Sequence, residues 1–126
     1  MLYIMRHGKT EWNKKKKLQG RTDIPLCREG IEMAEKAREE YKDVHLDICY
    51  CSPLIRARKT AEILLEGRNV PIVTDDRLKE MCFGEYEGIE SSFNIPDCPI
   101  NLLFFHPEQY TSSIGGAETF DELFGR

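Results

Sequence analysis

The chain has 126 residues, of which 40% are hydrophobic and 32% charged, and its formal net charge at pH 7 is -4. One domain with its own buried core is the expectation for this length and composition. The acidic balance argues against a general nucleic-acid or membrane-surface binder. No apolar run reaches the ~20 residues that cross a bilayer, and residues 1–6 lack the features of a signal peptide.

The first half of the chain alternates strand and helix patterns. Residues 2–5 form an apolar run typical of a buried strand, and a polar loop follows up to Pro25. Apolar side chains at three- and four-residue intervals then predict a helix over residues 28–43. Residues 46–51 form the second predicted strand.

A second helix is predicted after this strand. Ser52 is a suitable N-cap, Pro53 suits the first helical position, and Gly67 is the expected C-terminal stop. Residues 70–73 form the third predicted strand. Strand and helix therefore alternate, which predicts an α/β fold with three layers, a mostly parallel sheet with helices on both faces.

The second half is less regular. Glycine and proline interrupt residues 75–99, and residues 101–110 have only a weak helical pattern. Residues 115–116 are a Gly-Gly turn, and residues 118–124 begin another helix.

The five cysteines do not have the spacing of a disulfide scaffold. Their odd number indicates reduced thiols and a cytoplasmic location. Cys49 and Cys51 do not have the usual spacing of zinc ligands, and we interpret them as small apolar residues on one face of a strand.

The first chemical motif comes directly after the first predicted strand and consists of Arg6, His7 and Gly8. Ligands of open parallel sheets bind beyond the carboxyl ends of the strands. Neutral imidazole can attack phosphorus, and a guanidinium matches the geometry of phosphate oxygens. Gly8 would let the backbone approach a substrate closely. The tripeptide alone is a weak signal.

Two further segments carry suitable groups. Arg56 lies in the first turn of a predicted helix, where the helix N-terminus already favours an anion. Residues 78–88 contain Glu80, Glu85 and Glu87, and phosphoryl transfer to or from an ester oxygen needs one carboxyl group as proton donor. Composition alone does not choose among the three.

These segments, in this order, resemble the histidine phosphatase superfamily, also called the phosphoglycerate mutase-like family. The resemblance spans nearly the whole chain and implies a phosphoglycerate mutase-like fold. It implies a single, incomplete domain over residues 1–126, with a lid-like insertion at about 89–114. Further matching segments are residues 10–13 (TEWN), 18–26 (LQGRTDIPL), 52–61 (SPLIRARKTA) and 115–119 (GGAET).

The resemblance also implies roles for individual residues. His7 would be the phosphorylated nucleophile, and Arg6 and Arg56 would grip the phosphoryl oxygens. Glu80 would be the general acid that later activates water. No metal and no cofactor are implied, because the arginines supply the positive charge. The residues implied to line the pocket are Asn13, Gln19 and Gly20.

One departure from the family concerns its second histidine, which belongs to a later His-Gly motif beside the nucleophile. Neither His45 nor His106 has that context. We therefore expect about 60–80 further residues in a complete domain, including an interior strand. A chain without them has a costly open strand edge. It should be unstable, belong to a longer protein, or pair with another chain as a homodimer or by element swapping.

A smaller departure is Cys27, which stands where the family often has Ser or Thr as the N-cap of the first helix. Cysteine is a poor cap, so this departure bears on stability rather than on chemistry.

Two functions compete. The first is a phosphatase that hydrolyses a small phosphorylated metabolite through phosphohistidine, with phosphoglycerate mutase-type phosphotransfer, an isomerase reaction, as its alternative. No Lys or Arg lies between Ser91 and Gly115, which favours a phosphatase whose substrate lacks a strongly anionic far end, for example a ribazole phosphate. The second function is non-catalytic phosphate binding through Arg6 and Arg56. No nucleic-acid or membrane partner is expected.

Overall fold

The computed structural model describes all residues from Met1 to Arg126. The chain forms two compact units. Unit 1 consists of Met1–Glu11 and Asp23–Lys79, and unit 2 consists of Trp12–Thr22 and Glu80–Arg126. The short helix α1 (Glu11–Lys14) contains the first of the three points at which the chain passes from one unit to the other. None of the helices combines the length and the apolar character that a membrane crossing requires.

Unit 1 contains a strand-helix-strand arrangement. Its two strands pair in parallel, with Cys49 opposite Ile72 and Cys51 opposite Thr74. Parallel neighbours need a crossover connection, and the helix between them supplies it and packs against both. This confirms the predicted α/β class. The elements are α2 (Arg28–Glu40), β1 (Cys49–Cys51), α3 (Ile55–Leu64), β2 (Ile72–Thr74) and a 3-10 turn at Asp76–Leu78.

Helix α2 forms where the apolar periodicity predicts it, because that stripe packs on α3. Leu26, Ala34 and Ile63 are buried together, with Ile31 against them. Burial of each large apolar side chain contributes about 1.5–3 kcal/mol. Cys27 occupies the N-cap position without a side-chain hydrogen bond, as expected for a poor cap. The helix ends at Glu40, three residues before the predicted end, in a turn closed by Tyr41.

The first predicted strand is wrong. Residues 2–5 form no strand, and their side chains are exposed, Leu2 by 82% and Ile4 by 88%. A strand needs a hydrogen-bonded neighbour, whereas the sheet of this structure consists of β1 and β2 alone. The apolar pattern gives residues 2–5 a strand propensity but does not provide a partner. For the same reason β1 and β2 contain only the residues that pair, and both are shorter than predicted.

The predicted N-cap of α3 is also wrong. The helix begins at Ile55 after an extended Leu54, so Ser52 lies outside the cap position and accepts a bond from the Leu54 amide at 3.2 Å. The Ile55 amide instead donates to Asp23 Oδ1 at 2.7 Å. A carboxylate from a distant loop therefore replaces the local serine, because Leu54 is not helical and moves the helix start away from Ser52.

Unit 2 contains short helical segments around one apolar core. Helix α5 begins two residues later than predicted, because Thr119 is its N-cap and forms a capping box with Glu122. The segments are 3-10 turns at Gly84–Tyr86, Ser92–Asn94 and Pro107–Gln109, helix α4 (Asn101–Phe105) and helix α5 (Phe120–Phe124). The buried core residues are Met81, Phe83, Cys98, Ile100, Leu103, Tyr110 and Ala117.

The predicted Gly-Gly turn is confirmed and fixes a close approach within unit 2. Gly115 and Gly116 have φ angles of 58° and 78°, which favour glycine. A Cβ on Gly84 would lie 2.2 Å from the carbonyl oxygen of Gly115. The Glu85 amide donates to the same oxygen at 2.8 Å. These contacts hold residues 82–85 against the turn.

Candidate active site

The imidazole of His7 has a defined orientation. Its Nδ1 lies 2.6 Å from the carbonyl oxygen of Gly8, and the ring is partly buried. A carbonyl oxygen only accepts hydrogen bonds, so Nδ1 carries the ring proton and donates. The lone pair of the neutral ring is then on Nε2, the nitrogen that can act as nucleophile.

The loop that carries His7 is held by both helices of unit 1. A Cβ on Gly8 would lie 2.6 Å from the carbonyl oxygen of Gly30, so the loop lies directly against the start of α2. The Gly8 amide donates to Thr60 Oγ1 of α3 at 3.0 Å. Thr60 Oγ1 in turn donates to the carbonyl of Arg56 at 2.7 Å. Hydrogen bonds therefore connect the neighbour of His7 with the helix turn that bears Arg56.

Arg56 is the largest fully buried side chain in the protein, with 1% exposure. A buried guanidinium requires polar partners, because the desolvation of its charge is otherwise expensive. Its helix begins at Ile55, whose amide is bound by Asp23, so the first turn that carries Arg56 is fixed at its start. Arg6, in contrast, is exposed. Within unit 1 the structure thus links Gly8 and Arg56 and leaves Arg6 at the surface.

Three predicted pocket residues lie in unit 2. Gly20 is buried, and a Cβ there would lie 2.6 Å from the carbonyl oxygen of Met81 and 2.9 Å from the ring of Phe83. Only glycine allows the loop to pack this closely against the residues that follow Glu80. Gln19 is partly buried beside it, and Asn13 is exposed in α1.

The carboxylate of Glu87 accepts three hydrogen bonds. Its Oε1 accepts from the Thr22 amide at 2.7 Å and from Thr22 Oγ1 at 2.6 Å, and its Oε2 accepts from the Phe83 amide at 3.0 Å. Burial alone would raise the pKa of Glu87, but the bonds from Thr22, Phe83 and the Arg21 backbone outweigh burial and lower it. The carboxylate is therefore charged at neutral pH and fixes two loops together.

The other two carboxylates are exposed. Glu80 Oε1 accepts from the Met81 amide at 2.8 Å, which orients its carboxyl group against its own peptide. The Glu85 side chain lies against the turn, where a Cβ on Gly115 would meet its Cγ at 2.7 Å. Hydrogen bonds thus occupy the Glu87 carboxylate, whereas Glu80 and Glu85 are accessible to solvent.

The predicted site residues divide between the units. His7, Arg6 and Arg56 belong to unit 1, and Glu80, with the three predicted pocket residues, belongs to unit 2. Their assembly into one site stays a prediction.

Sequence reasoning missed several residues that hold these groups. Asp23, Thr60 and Glu118 bind partners that lie 32, 52 and 36 residues away along the chain. All three lie in segments that match the family (18–26, 52–61 and 115–119), but their partners lie too far along the chain to be read from a local pattern.

One group of side chains has the composition of a metal site. The potential ligand atoms of Glu11, Cys27 and Glu29 lie within 4.8 Å of one another. Glu11 and Glu29 each have a further interaction within the protein. The two remaining histidines are exposed, and each lies near a carboxylate, His45 near Asp47 at 2.9 Å and His106 near Glu108 at 3.5 Å.

Comparison with known proteins gives relatives over most of the chain. A Bacillus subtilis (strain 168) protein named uncharacterized phosphatase PhoE is 46% identical over 99 residues, which are 79% of this chain and 51% of the relative. The structure of Bacillus stearothermophilus YhfR has a TM-score of 0.80 and 34% identity, covering 94% of this chain and 58% of the other. The α-ribazole phosphatase from Shigella flexneri has a TM-score of 0.78 and 29% identity, with 94% and 59% covered.

The chain thus spans about half the length of the curated relative and somewhat more of the solved structures. These similarities extend through both units, and the solved structures share the α/β fold. The family model of the histidine phosphatase superfamily (branch 1) matches residues 2–126, and the chain belongs to that superfamily.

Proposed function

We propose that this protein hydrolyses phosphomonoesters of small metabolites through a phosphohistidine at His7. The observation that carries the proposal is the 2.6 Å contact between His7 Nδ1 and the Gly8 carbonyl, which directs the lone pair to Nε2. A nucleophile of this kind needs no further activation, because neutral imidazole is already basic near pH 7.

The reaction has two steps. In the first, Nε2 of His7 attacks phosphorus, the ester P–O bond breaks, and Glu80 donates its carboxyl proton to the leaving oxygen. In the second, the Glu80 carboxylate takes a proton from water, the oxygen of water bonds to phosphorus, and the P–N bond breaks. Neutral His7 and inorganic phosphate result.

The other predicted residues would act on the phosphoryl group electrostatically. Arg6 and Arg56 would bind its oxygens, and the buried position of Arg56 strengthens such a contact because less water screens it. Asn13, Gln19 and Gly20 would line the pocket. The close packing of Gly20 against Met81 supports this role, because it brings the loop next to Glu80.

The substrate would lack a second strongly charged group. No Lys or Arg lies between Ser91 and Gly115, and the exposed side chains there include Phe93 and Phe105. This composition favours hydrolysis over phosphoglycerate mutase-type transfer, which remains the alternative reaction. Because one solved relative is named an α-ribazole phosphatase, a ribazole phosphate is one candidate substrate.

The test is the intact mass of the protein after brief incubation with p-nitrophenyl phosphate, together with the release of nitrophenolate. We expect a gain of one phosphoryl group that is acid-labile and absent from His7→Ala, and turnover that this variant lacks. An unmodified His7 with unchanged turnover in His7→Ala would contradict the proposal.

Non-catalytic phosphate binding is the second candidate. It is favoured because His45 and His106, the two histidines besides His7, are exposed and pair with surface carboxylates. Neither of them has the surroundings expected of the family's second histidine. In the same experiment this function gives no covalent phosphate and no turnover. Binding of inorganic phosphate would then be measured by calorimetry and would be lost in Arg56→Gln.

Three further expectations belong to this proposal. Residues 1–126 would form one domain of the family fold, with the lid-like insertion at about 89–114.

All five cysteines are unpaired, which supports a cytoplasmic location. A homodimer or an exchange of elements between copies would appear as twice the monomer mass in light scattering.

A further inference from the structure

Glu118 is a buried carboxylate, 7% exposed, that gathers donors from three parts of unit 2. Its Oε2 accepts from the Cys82 amide at 3.1 Å, and its Oε1 accepts from Arg21 Nη2 at 3.3 Å. Arg126 donates from Nε to Oε1 at 2.7 Å and from Nη2 to Oε2 at 3.3 Å. Burial alone would raise the pKa of Glu118, but Arg126, the Cys82 amide and Arg21 lower it.

Stability alone is a weak reason for such an arrangement. Replacing a buried ion pair by packed apolar groups is often neutral or stabilising, because the desolvation cost offsets the attraction. Two of the three donors point to another role. Arg21 also binds the carbonyl of Glu80, and the Cys82 amide lies two residues after Glu80 in the chain.

Glu118 fixes this segment at both ends. Arg21 Nε donates to the carbonyl of Glu80 in a long bond of 3.4 Å. At the other end, the Cys82 amide binds the Glu118 carboxylate, and the Cys82 carbonyl accepts from the Glu118 amide at 2.7 Å. The peptide between Glu80 and Met81 carries the first attachment on its own carbonyl, and the second attachment lies one peptide further along the chain, so together they restrain its rotation.

The orientation of that peptide determines where the carboxyl group of Glu80 lies. The Met81 amide, which is part of the peptide, donates to Glu80 Oε1 at 2.8 Å. A rotation of the peptide would carry the carboxyl group with it. Misplacement of a reacting group by about 1 Å can lower a rate by about 10²-fold.

We propose that Glu118 is a positioning residue for Glu80, acting through Arg21 and the Cys82 amide. The inference rests on the proposed function, in which Glu80 donates the proton to the leaving oxygen. Glu118 itself touches no reacting atom. Its role is to keep the carboxyl group of Glu80 in the orientation that proton transfer needs.

The leaving group of the substrate separates positioning from general structural support. An alkyl phosphate such as glycerol 2-phosphate has a strongly basic leaving oxygen and needs the proton, whereas p-nitrophenolate leaves without it. For Glu118→Gln we expect kcat/KM to fall about 10- to 100-fold with the alkyl ester and at most about 3-fold with p-nitrophenyl phosphate. Equal losses with both esters would overturn the proposal.

A double-mutant comparison gives the second readout. Glu118→Gln should cause no further loss with the alkyl ester when Glu80→Gln is already present, because the group to be positioned is gone. Additive losses would contradict the proposal. Arg21→Gln, at a side chain that is 39% exposed, repeats the test without altering a buried carboxylate, and Glu108→Gln is the surface control.

A third readout does not depend on activity. At a fixed pH the amide resonance of Met81 should report its bond to Glu80 Oε1, and Glu80→Ala should move it because the acceptor is gone. We expect Glu118→Gln and Arg21→Gln to move the resonance in the same direction, and Glu108→Gln to leave it unchanged. An unmoved Met81 resonance in both variants would overturn the positioning role. A protein inactive before any mutation would contradict the proposed function alone.

Discussion

At the scale of single residues, hydrogen bonds give groups of the same type different surroundings. The Gly8 carbonyl selects one tautomer of His7, and the amides around Glu87 keep that carboxylate ionised. Glu80 accepts one amide bond and remains exposed. The sequence motif places these residues in order along the chain, and the hydrogen bonds distinguish Glu87, whose carboxylate is occupied by three donors, from Glu80, whose carboxyl group accepts one amide bond and stays exposed.

This difference leads to a prediction for the carboxylates. Glu80→Gln should lower kcat/KM for an alkyl phosphomonoester by about 10²–10⁴-fold, because the leaving oxygen then has no proton donor. Glu85→Gln, which changes another exposed carboxylate of the same segment, should stay within about threefold of the unmodified protein. Steady-state release of inorganic phosphate measures both. A larger loss in Glu85→Gln would transfer the acid role to that residue.

At the scale of elements, α3 connects the parts of unit 1. It supplies the crossover between the two strands, buries Arg56 in its first turn and holds the His7 loop through Thr60. Its N-terminal amide depends on Asp23, which lies outside the helix. Helix α2 contributes the surface at Gly30 on which the loop rests.

The cap of α3 can be tested by substitution. Asp23→Ala should reduce the free energy of unfolding by about 1 kcal/mol, because the Ile55 amide loses its acceptor. Asp23→Asn keeps an oxygen at this position and should recover most of the loss. Urea denaturation measures both variants. Equal destabilisation by Ala and Asn would show that charge, and not the cap bond, is what matters.

Gly30 should respond in the opposite way to an ordinary helical glycine. Gly→Ala inside a helix commonly stabilises by about 0.5–1 kcal/mol. Here a Cβ would lie 2.0 Å from the carbonyl oxygen of Lys9, so Gly30→Ala should destabilise by about 1–3 kcal/mol. Lys36→Ala, at an exposed position of the same helix, should change stability by less than about 0.5 kcal/mol. A stabilised Gly30→Ala would contradict the contact.

The sequence predicts elements that depend on local pattern and misses what depends on distant partners. The apolar stripe of α2 and the Gly-Gly turn at residues 115–116 are local, and both are confirmed. Residues 2–5 have an equally clear pattern, but no other segment pairs with them. Asp23 and Glu118 lie in segments that match the family, but their contacts could not be predicted, because the amides that they bind lie far along the chain.

At the scale of the whole molecule, the free energy of unfolding depends on pH through carboxylates whose pKa is lowered in the folded state. Glu87 and Glu118 both have a folded-state pKa below the ordinary value of 4.5. A lowered pKa means that the folded protein favours the ionised form. The resulting stabilisation is complete above about 4.5 and is lost as the pH falls through the folded-state values.

The urea midpoint should therefore fall between pH 5 and pH 3. In Glu87→Gln the protein should be less stable at pH 7 and should lose less on acidification, because one linked carboxylate is absent while Glu118 and Asp75, whose pKa Arg77 lowers to about 2, remain. Glu108→Gln, at an exposed carboxylate of unit 2, should keep the full pH dependence. An unchanged acid response in Glu87→Gln would exclude Glu87 as a source of the linkage.

The exposed side chains of residues 1–5 have a consequence for the behaviour of the protein in concentrated solution. Five consecutive apolar side chains face solvent, and electrostatic repulsion from the net charge of -4 opposes their contact between molecules. This repulsion vanishes near the isoelectric point, about 5.4. Turbidity should therefore peak near that pH, and Ile4→Lys, which interrupts the apolar run, should reduce the peak.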